Sequence, residues 1–279
     1  MLRTRVLSAA VLVPVVAIAW WAGLPWLGLL VLVIAAFAGR ETFALLRQAG
    51  YVNEPLLGTA IALLVVAGMW LFADRGDVPI LFVALGLVVA AVAAFLRTDP
   101  FAGLQAWIAT AFGALYVALL GFLLLIVNDA APLPVGAPLG GFLDGGRIWL
   151  LIAILAVWSF DSGAYLVGRR FGRTHFVPHI SPGKTLEGVA GGVAAATAVS
   201  LVLLVLAGQN PLAALLFGPL VGLLGQAGDL AESMLKRAAG AKDSGDLIPG
   251  HGGVLDRVDS ILFAAPAAYF YMLVLGAFR

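Results

Sequence analysis

The sequence predicts an all-α, polytopic integral membrane protein with about nine transmembrane helices. Three observations predict it. Of the 279 residues, 62% are hydrophobic and 11% are charged, where soluble domains carry roughly 25% charged residues. The apolar residues fall in runs that reach the roughly 20 residues a helix needs to cross a bilayer. The remaining charges gather between those runs. The formal net charge is only +1, which argues against nucleic acid as a partner. Cysteine is absent, so disulfides, thiol catalysis and thiolate-bound metals are excluded.

Taken in order, Arg3 and Arg5 precede the first apolar run, and Ala17-x-Ala19 imitates a signal-peptide cleavage site. The bulky Trp20 and Trp21 that follow argue against cleavage. The run 6–38 is too long for one span, and Gly23 and Pro25 divide it into 6–22 and 26–38. Further spans are expected at 56–73, 78–96, 102–127, 148–168, 188–208, 211–226 and 260–278. Pro211 suits a helix start. Pro132, Pro134 and Pro138 mark 128–147 as irregular. Tryptophans 20, 21, 26, 70, 107, 149 and 158 mostly fall near predicted span ends, where interfacial anchoring explains them. The expected organisation is one membrane-embedded domain, 1–279, with N-terminal spans in 1–127 and the catalytic spans and loops in 148–279.

Charge orients this scheme. With a cytoplasmic N-terminus and nine alternating spans, 13 of the 16 Lys and Arg residues face inward. Only Arg75, Arg147 and Arg279 lie outside, as the positive-inside rule requires. The C-terminus is then external, and the polar segment 226–259 faces the cytoplasm.

That segment is the densest cluster of charge in the chain. On a helix over 227–238, Asp229, Glu232, Ser233, Lys236 and Arg237 form one polar stripe. Lys242, Asp243 and a glycine-rich stretch follow, with His251 in a His-Gly-Gly turn. Asp256, Arg257 and Asp259 then open the last apolar helix. Carboxylates bind hard cations and Lys/Arg bind phosphate oxygens. Together they are the groups that metal-assisted phosphoryl or nucleotidyl transfer needs. A solvated, salt-bridged loop is the plainer explanation of such charge.

A second informative stretch is 158–188. Asp161 lies within an apolar span, where an ionisable group faces a cavity or a partner. Ser181-Pro-Gly-Lys184-Thr185 invites a P-loop reading that fails, because Pro178 stands where the pattern wants glycine and no strand precedes it. His175 and His179 are four apart, but Pro178 between them argues against a regular helix and so against a helical metal pair.

Three strings resemble one family. They are Ser233-x-x-Lys236-Arg237 with Lys242-Asp243 and Pro249-x-His251-Gly-Gly-Val-x-Asp256-Arg257-Val-Asp259; Asp161-Ser-x-Ala-Tyr165-x-x-Gly168; and Ser181-Pro-x-Lys184-Thr185-x-Glu187-Gly188. Together they resemble the phosphatidate cytidylyltransferases. The N-terminal third carries little of the likeness beyond hydropathy. The resemblance implies a membrane nucleotidyltransferase that joins CTP and phosphatidic acid to give CDP-diacylglycerol and pyrophosphate, with Mg2+, room for a second cation, and a homodimer.

Resemblance and residue chemistry together assign the roles. Asp229 and Asp256, then Asp259, are the candidate magnesium ligands. Lys236, Arg237, Lys242, Asp243, His251, Arg257 and Asp161 are the candidate catalytic residues, the cations among them holding phosphates. Ser181, Lys184, Thr185 and Ser233 are the candidate substrate-binding residues. Two other classes compete. A transporter would spread ionisable residues through the span midplanes, whereas here they sit toward one side. Another lipid phosphotransferase or kinase would share the cations, but the Asp-Gly…Ala-Arg pattern of the CDP-alcohol transferases is missing.

Overall fold

The computed structural model describes residues 2–275 and is all-helical, with isolated β-bridges and no strand among them. Ten α-helices follow in order: α1 (Leu2–Ala22), α2 (Leu24–Gln48), α3 (Pro55–Leu71), α4 (Asp77–Ala94), α5 (Pro100–Ala118), α6 (Phe122–Asp129), α7 (Gly145–Phe171), α8 (Leu186–Leu206), α9 (Ala214–Ala238) and α10 (Leu255–Leu275). A 3-10 turn, Leu119–Gly121, joins α5 to α6, and another, Pro211–Ala213, leads into α9. Seven segments are long and apolar enough to cross a membrane, and Val6–Ala22 and Pro55–Leu71 are shorter apolar helices. Each expected span therefore has a helix. The chain is a multi-pass membrane protein.

Helix ends depart from the hydropathy boundaries where caps, rather than apolarity, decide them. Gly23, with φ +92°, and Pro25 at the start of α2 divide the first run as expected. The second helix, however, continues past 38 to Gln48, because Arg40, Glu41 and Arg47 are helix formers and no breaker comes before Gly50. There Gly50, with φ +91°, closes a Schellman motif: Tyr51 N–H donates to Leu46 O at 2.9 Å and Gly50 N–H to Arg47 O at 3.0 Å. Pro100 begins α5 beneath an Asp99 cap that accepts from the N–H groups of Phe101 and Ala102. Segment 211–226 and the polar helix after it are one helix, since nothing between Ala214 and Ala238 stops it; Pro219 is accommodated inside. Residues 130–144 are irregular, as their prolines require.

The helices form two compact units. One runs to Leu124 and includes Met234–Val258; the other comprises Leu125–Ser233 and the described residues from Asp259 onward. In the first, Phe43 of α2 is fully buried against glycines: a Cβ at Gly58 would lie 2.1 Å from its ring and one at Gly113 2.5 Å. Small residues let helices approach closely where lipid gives no hydrophobic driving force. In the second, α7 and α8 pack the same way, with Gly163 too close to Ala195 and the Gly191 carbonyl to admit a Cβ. Trp149 is buried, tilted against Phe217 with 5.9 Å between ring centroids, so packing rather than contact with the lipid interface accounts for it. A Tyr269 hydroxyl donating to Asp129 at 2.7 Å satisfies a carboxylate between α10 and α6.

Candidate active site

The candidate residues fall into two ionic clusters, one in each unit. In the second unit the loop between α7 and α8 is fixed by its own side chains. Thr185 is the N-cap of α8, its buried hydroxyl accepting from Gly188 N–H at 3.1 Å. The Glu187 carboxylate accepts from the N–H groups of Arg173 and Thr174 and from the Thr174 hydroxyl. Ser181 O accepts from Lys184 N–H at 3.3 Å. The Ser-Pro-x-Lys-Thr-x-Glu-Gly string is thus a local clamp that aims Lys184. Its Nζ donates to Asp229 Oδ2 on α9 at 2.8 Å, and Ser233, one turn on, donates to Asp229 Oδ1 at 3.3 Å. Asp161 on α7 lies within the electrostatic reach of Asp229, Asp259 and Lys184. Three carboxylates against one ammonium leave an excess of negative charge.

The polar stripe of α9 faces inward from Asp229 to Lys236, and only Arg237 at its end is exposed. Glu232 is fully buried, whereas Leu223, Leu224 and Met234 are exposed. The expected amphipathicity holds, turned so that the apolar face is the outer one, as suits a helix surrounded by lipid.

In the first unit Lys236 Nζ donates to Asp256 Oδ1 at 2.6 Å, both side chains nearly buried. Asp256 Oδ2 accepts from the N–H groups of Ser244, at 3.0 Å, and Gly253, at 2.9 Å, and lies 3.0 Å from the Ser244 hydroxyl. Removing two charges from water is costly unless further hydrogen bonds satisfy them, and these supply that. His251 Nδ1 and Ser8 Oγ hydrogen bond at 2.7 Å. Arg237, Lys242, Asp243 and Arg257 are exposed, and Arg237 donates to the Ala241 carbonyl at 3.2 Å.

The structure therefore brings Asp161, Lys184, Asp229, Ser233 and Asp259 into one unit, and Lys236, His251 and Asp256 into the other. Among the described residues, no three His, Asp or Glu side chains stand close enough together to hold a metal ion. In kind, the donors suit a hard cation: all are carboxylate oxygens, and those around Asp161 carry excess negative charge.

One buried carboxylate at this site was not anticipated. Glu41 of α2 accepts from Val254 N–H at 3.0 Å, Leu255 N–H at 2.8 Å and the Ser244 hydroxyl at 2.9 Å. The available signal was weak: an acid beside Arg40, just past the apolar run 26–38, followed by the apolar stretch Phe43–Leu46.

Comparison with known proteins shows which family the chain belongs to. The family model for the cytidylyltransferase family matches residues 3–275. The phosphatidate cytidylyltransferase of Brucella suis is 34% identical over 277 residues, covering 97% of this chain and 93% of that protein. The phosphatidate cytidylyltransferase of Bacillus subtilis is 45% identical over 130 residues, and the uncharacterized protein YnbB of Escherichia coli is 45% identical over 131. In those two the matched segment spans about half of each protein, 48% and 44% of their lengths. With a match across nearly its whole length, the chain belongs to the cytidylyltransferase family.

Proposed function

We propose that this chain is a phosphatidate cytidylyltransferase, transferring a cytidylyl group from CTP to phosphatidic acid. The observation that carries the reading is the near full-length likeness to the Brucella suis enzyme of that name. The residues fit the chemistry. A phosphomonoester oxygen of phosphatidic acid attacks the α-phosphorus of CTP, a new P–O bond forms, and the α–β bridging P–O bond breaks to release pyrophosphate. The second pKa of a phosphomonoester is about 6, so the nucleophile is already ionised near neutrality and no strong base is needed. The difficulty is the approach of two polyanions. Lys184 and Lys236, each aligned by a carboxylate, and the exposed Arg237, Lys242 and Arg257 are proposed to hold phosphates.

Magnesium is proposed as cofactor, held by carboxylates from the set Asp229, Asp256 and Asp259. When bound, it would neutralise charge on the phosphates. A second cation and a homodimer, both implied by the resemblance, belong to the same proposal, as do the cytoplasmic N-terminus and site, the external C-terminus and residence in the cell membrane.

The test uses purified full-length protein in detergent with labelled CTP and phosphatidic acid. A CDP-lipid is expected, lost on chelation of divalent cations and restored by magnesium. Equal transfer from ATP would overturn the assignment in favour of a kinase-like phosphotransferase.

A further inference from the structure

The glycine-rich loop between α9 and α10 is built around the Glu41 carboxylate. Glu41 is 8% exposed, and a buried carboxylate needs hydrogen-bond donors around it. It has them: the N–H groups of Val254 and Leu255, which are orphan donors at the start of α10, and the Ser244 hydroxyl. A carboxylate at a helix N-terminus is also favoured by the helix dipole. The glycines explain themselves here. A Cβ at Gly253 would lie 2.4 Å from Glu41 Oε2, and one at Gly245 2.7 Å from Oε1. Only chain without side chains at these two positions closes over the carboxylate.

The contact continues to Asp256. Ser244 Oγ stands 2.9 Å from Glu41 Oε2 and 3.0 Å from Asp256 Oδ2, and Ser244 N–H donates to the same Asp256 oxygen. Asp256 in turn receives Lys236. Glu41 thus fixes where α10 begins, one residue before Asp256, and holds the serine that orients the Asp256 carboxylate. Nothing in these contacts leaves Glu41 itself free to meet a substrate.

We propose that Glu41 is a positioning residue for nucleotidyl transfer, acting through Ser244 and the first turn of α10 on Asp256 and Lys236. The proposal rests on the reading of the chain as a cytidylyltransferase. The test compares Glu41→Gln and Ser244→Ala with the parent protein, purified in detergent. Glutamine keeps the shape but replaces one acceptor oxygen with an NH2, which cannot accept from the Val254 or Leu255 N–H. Glu41→Gln is expected to lower kcat at least 10-fold with KM for phosphatidic acid within about twofold, and Ser244→Ala to lower kcat in the same direction. Hydrogen exchange by mass spectrometry is expected to show faster exchange in peptides covering Val254 and Leu255, with peptides of α3 and α5 unchanged.

Parental kcat in a folded Glu41→Gln protein overturns the proposal. So does a loss of kcat accompanied by faster exchange throughout α3 and α5, which would make Glu41 a general packing residue. If Glu41→Gln does not fold, Ser244→Ala decides: parental kcat in that variant overturns the link to Asp256. Failure of the parent to make a CDP-lipid is a failure of the functional reading instead. In that case exchange at Val254 and Leu255 still decides whether Glu41 holds the loop.

Discussion

Two readings of Asp256 make different predictions, and one substitution separates them. As a helix-start carboxylate it would be replaceable by asparagine, a good cap residue. As a charged group among phosphates and cations it would not, because an amide oxygen is a weaker ligand for a hard cation. The structure sharpens the expectation: Oδ1 takes Lys236, while Oδ2 takes backbone N–H groups. Asparagine presents an acceptor on one side only. Asp256→Asn is therefore expected to reduce CTP turnover about 1,000-fold or more, and Arg257→Lys to hurt less, since charge remains while the planar fork is lost. Stability should fall too, because removing one member of a buried pair costs roughly 3–5 kcal/mol. Lys236→Met combined with Asp256→Asn should recover part of that stability and none of the activity, as read by melting in detergent and by turnover. Near-parental turnover in Asp256→Asn would remove this residue from the site. The aspartates and basic residues of this region were legible because the chain itself clusters them. Glu41 was not, because its significance lies in a contact with Ser244 across 203 positions of sequence.

At the scale of elements, close helix approach makes particular glycines sensitive. A Cβ at Gly228 of α9 would sit 2.4 Å from the Asp259 carbonyl oxygen, a backbone atom that cannot swing away. Gly228→Ala is therefore expected to push α9 from the start of α10, costing roughly 1–3 kcal/mol as overpacking does. Because Asp229 and Asp259 are carried by those two backbones, the magnesium concentration for half-maximal activity should also rise. Ala190→Gly, at an exposed position of α8, should leave that concentration unchanged. An unaltered magnesium dependence in Gly228→Ala would mean that the spacing of these segments does not matter to the cation. Element existence was readable from apolar runs, and element ends were not. Hydropathy reports where lipid is, whereas the end of a helix is set by a cap. The ends of α2 and α9 lie beyond the apolar runs because charged helix formers extend them until Gly50 and Gly240, each with positive φ.

At the scale of the molecule, topology turns on the two shorter apolar helices, α1 and α3, and labelling can test α3 directly. Its 17 residues rise about 1.5 Å each, giving roughly 26 Å against a hydrocarbon layer of about 30 Å. A mismatch of a few Å is accommodated by local thinning at modest cost, so length alone does not exclude a crossing. Charge favours it. If neither α1 nor α3 crossed, Arg40 and Arg47 would move outside, and the inward bias would fall from 13 against 3 to 11 against 5. Arg279, one of the three outer charges in that count, lies outside the described residues. The absence of cysteine permits single-cysteine labelling without background. Tyr51 and Arg75, both exposed, flank α3, and exposed Arg173 lies in the α7–α8 loop. With nine crossings, an impermeant thiol reagent added to intact cells should label Arg75→Cys alone, and Tyr51→Cys and Arg173→Cys only after permeabilisation. Positions 75 and 173 are separated by three long segments, so they report the overall orientation. Positions 51 and 75 are separated by α3 alone, so labelling of both from one side would show that α3 does not cross, and the nine-span topology would give way to one with fewer crossings.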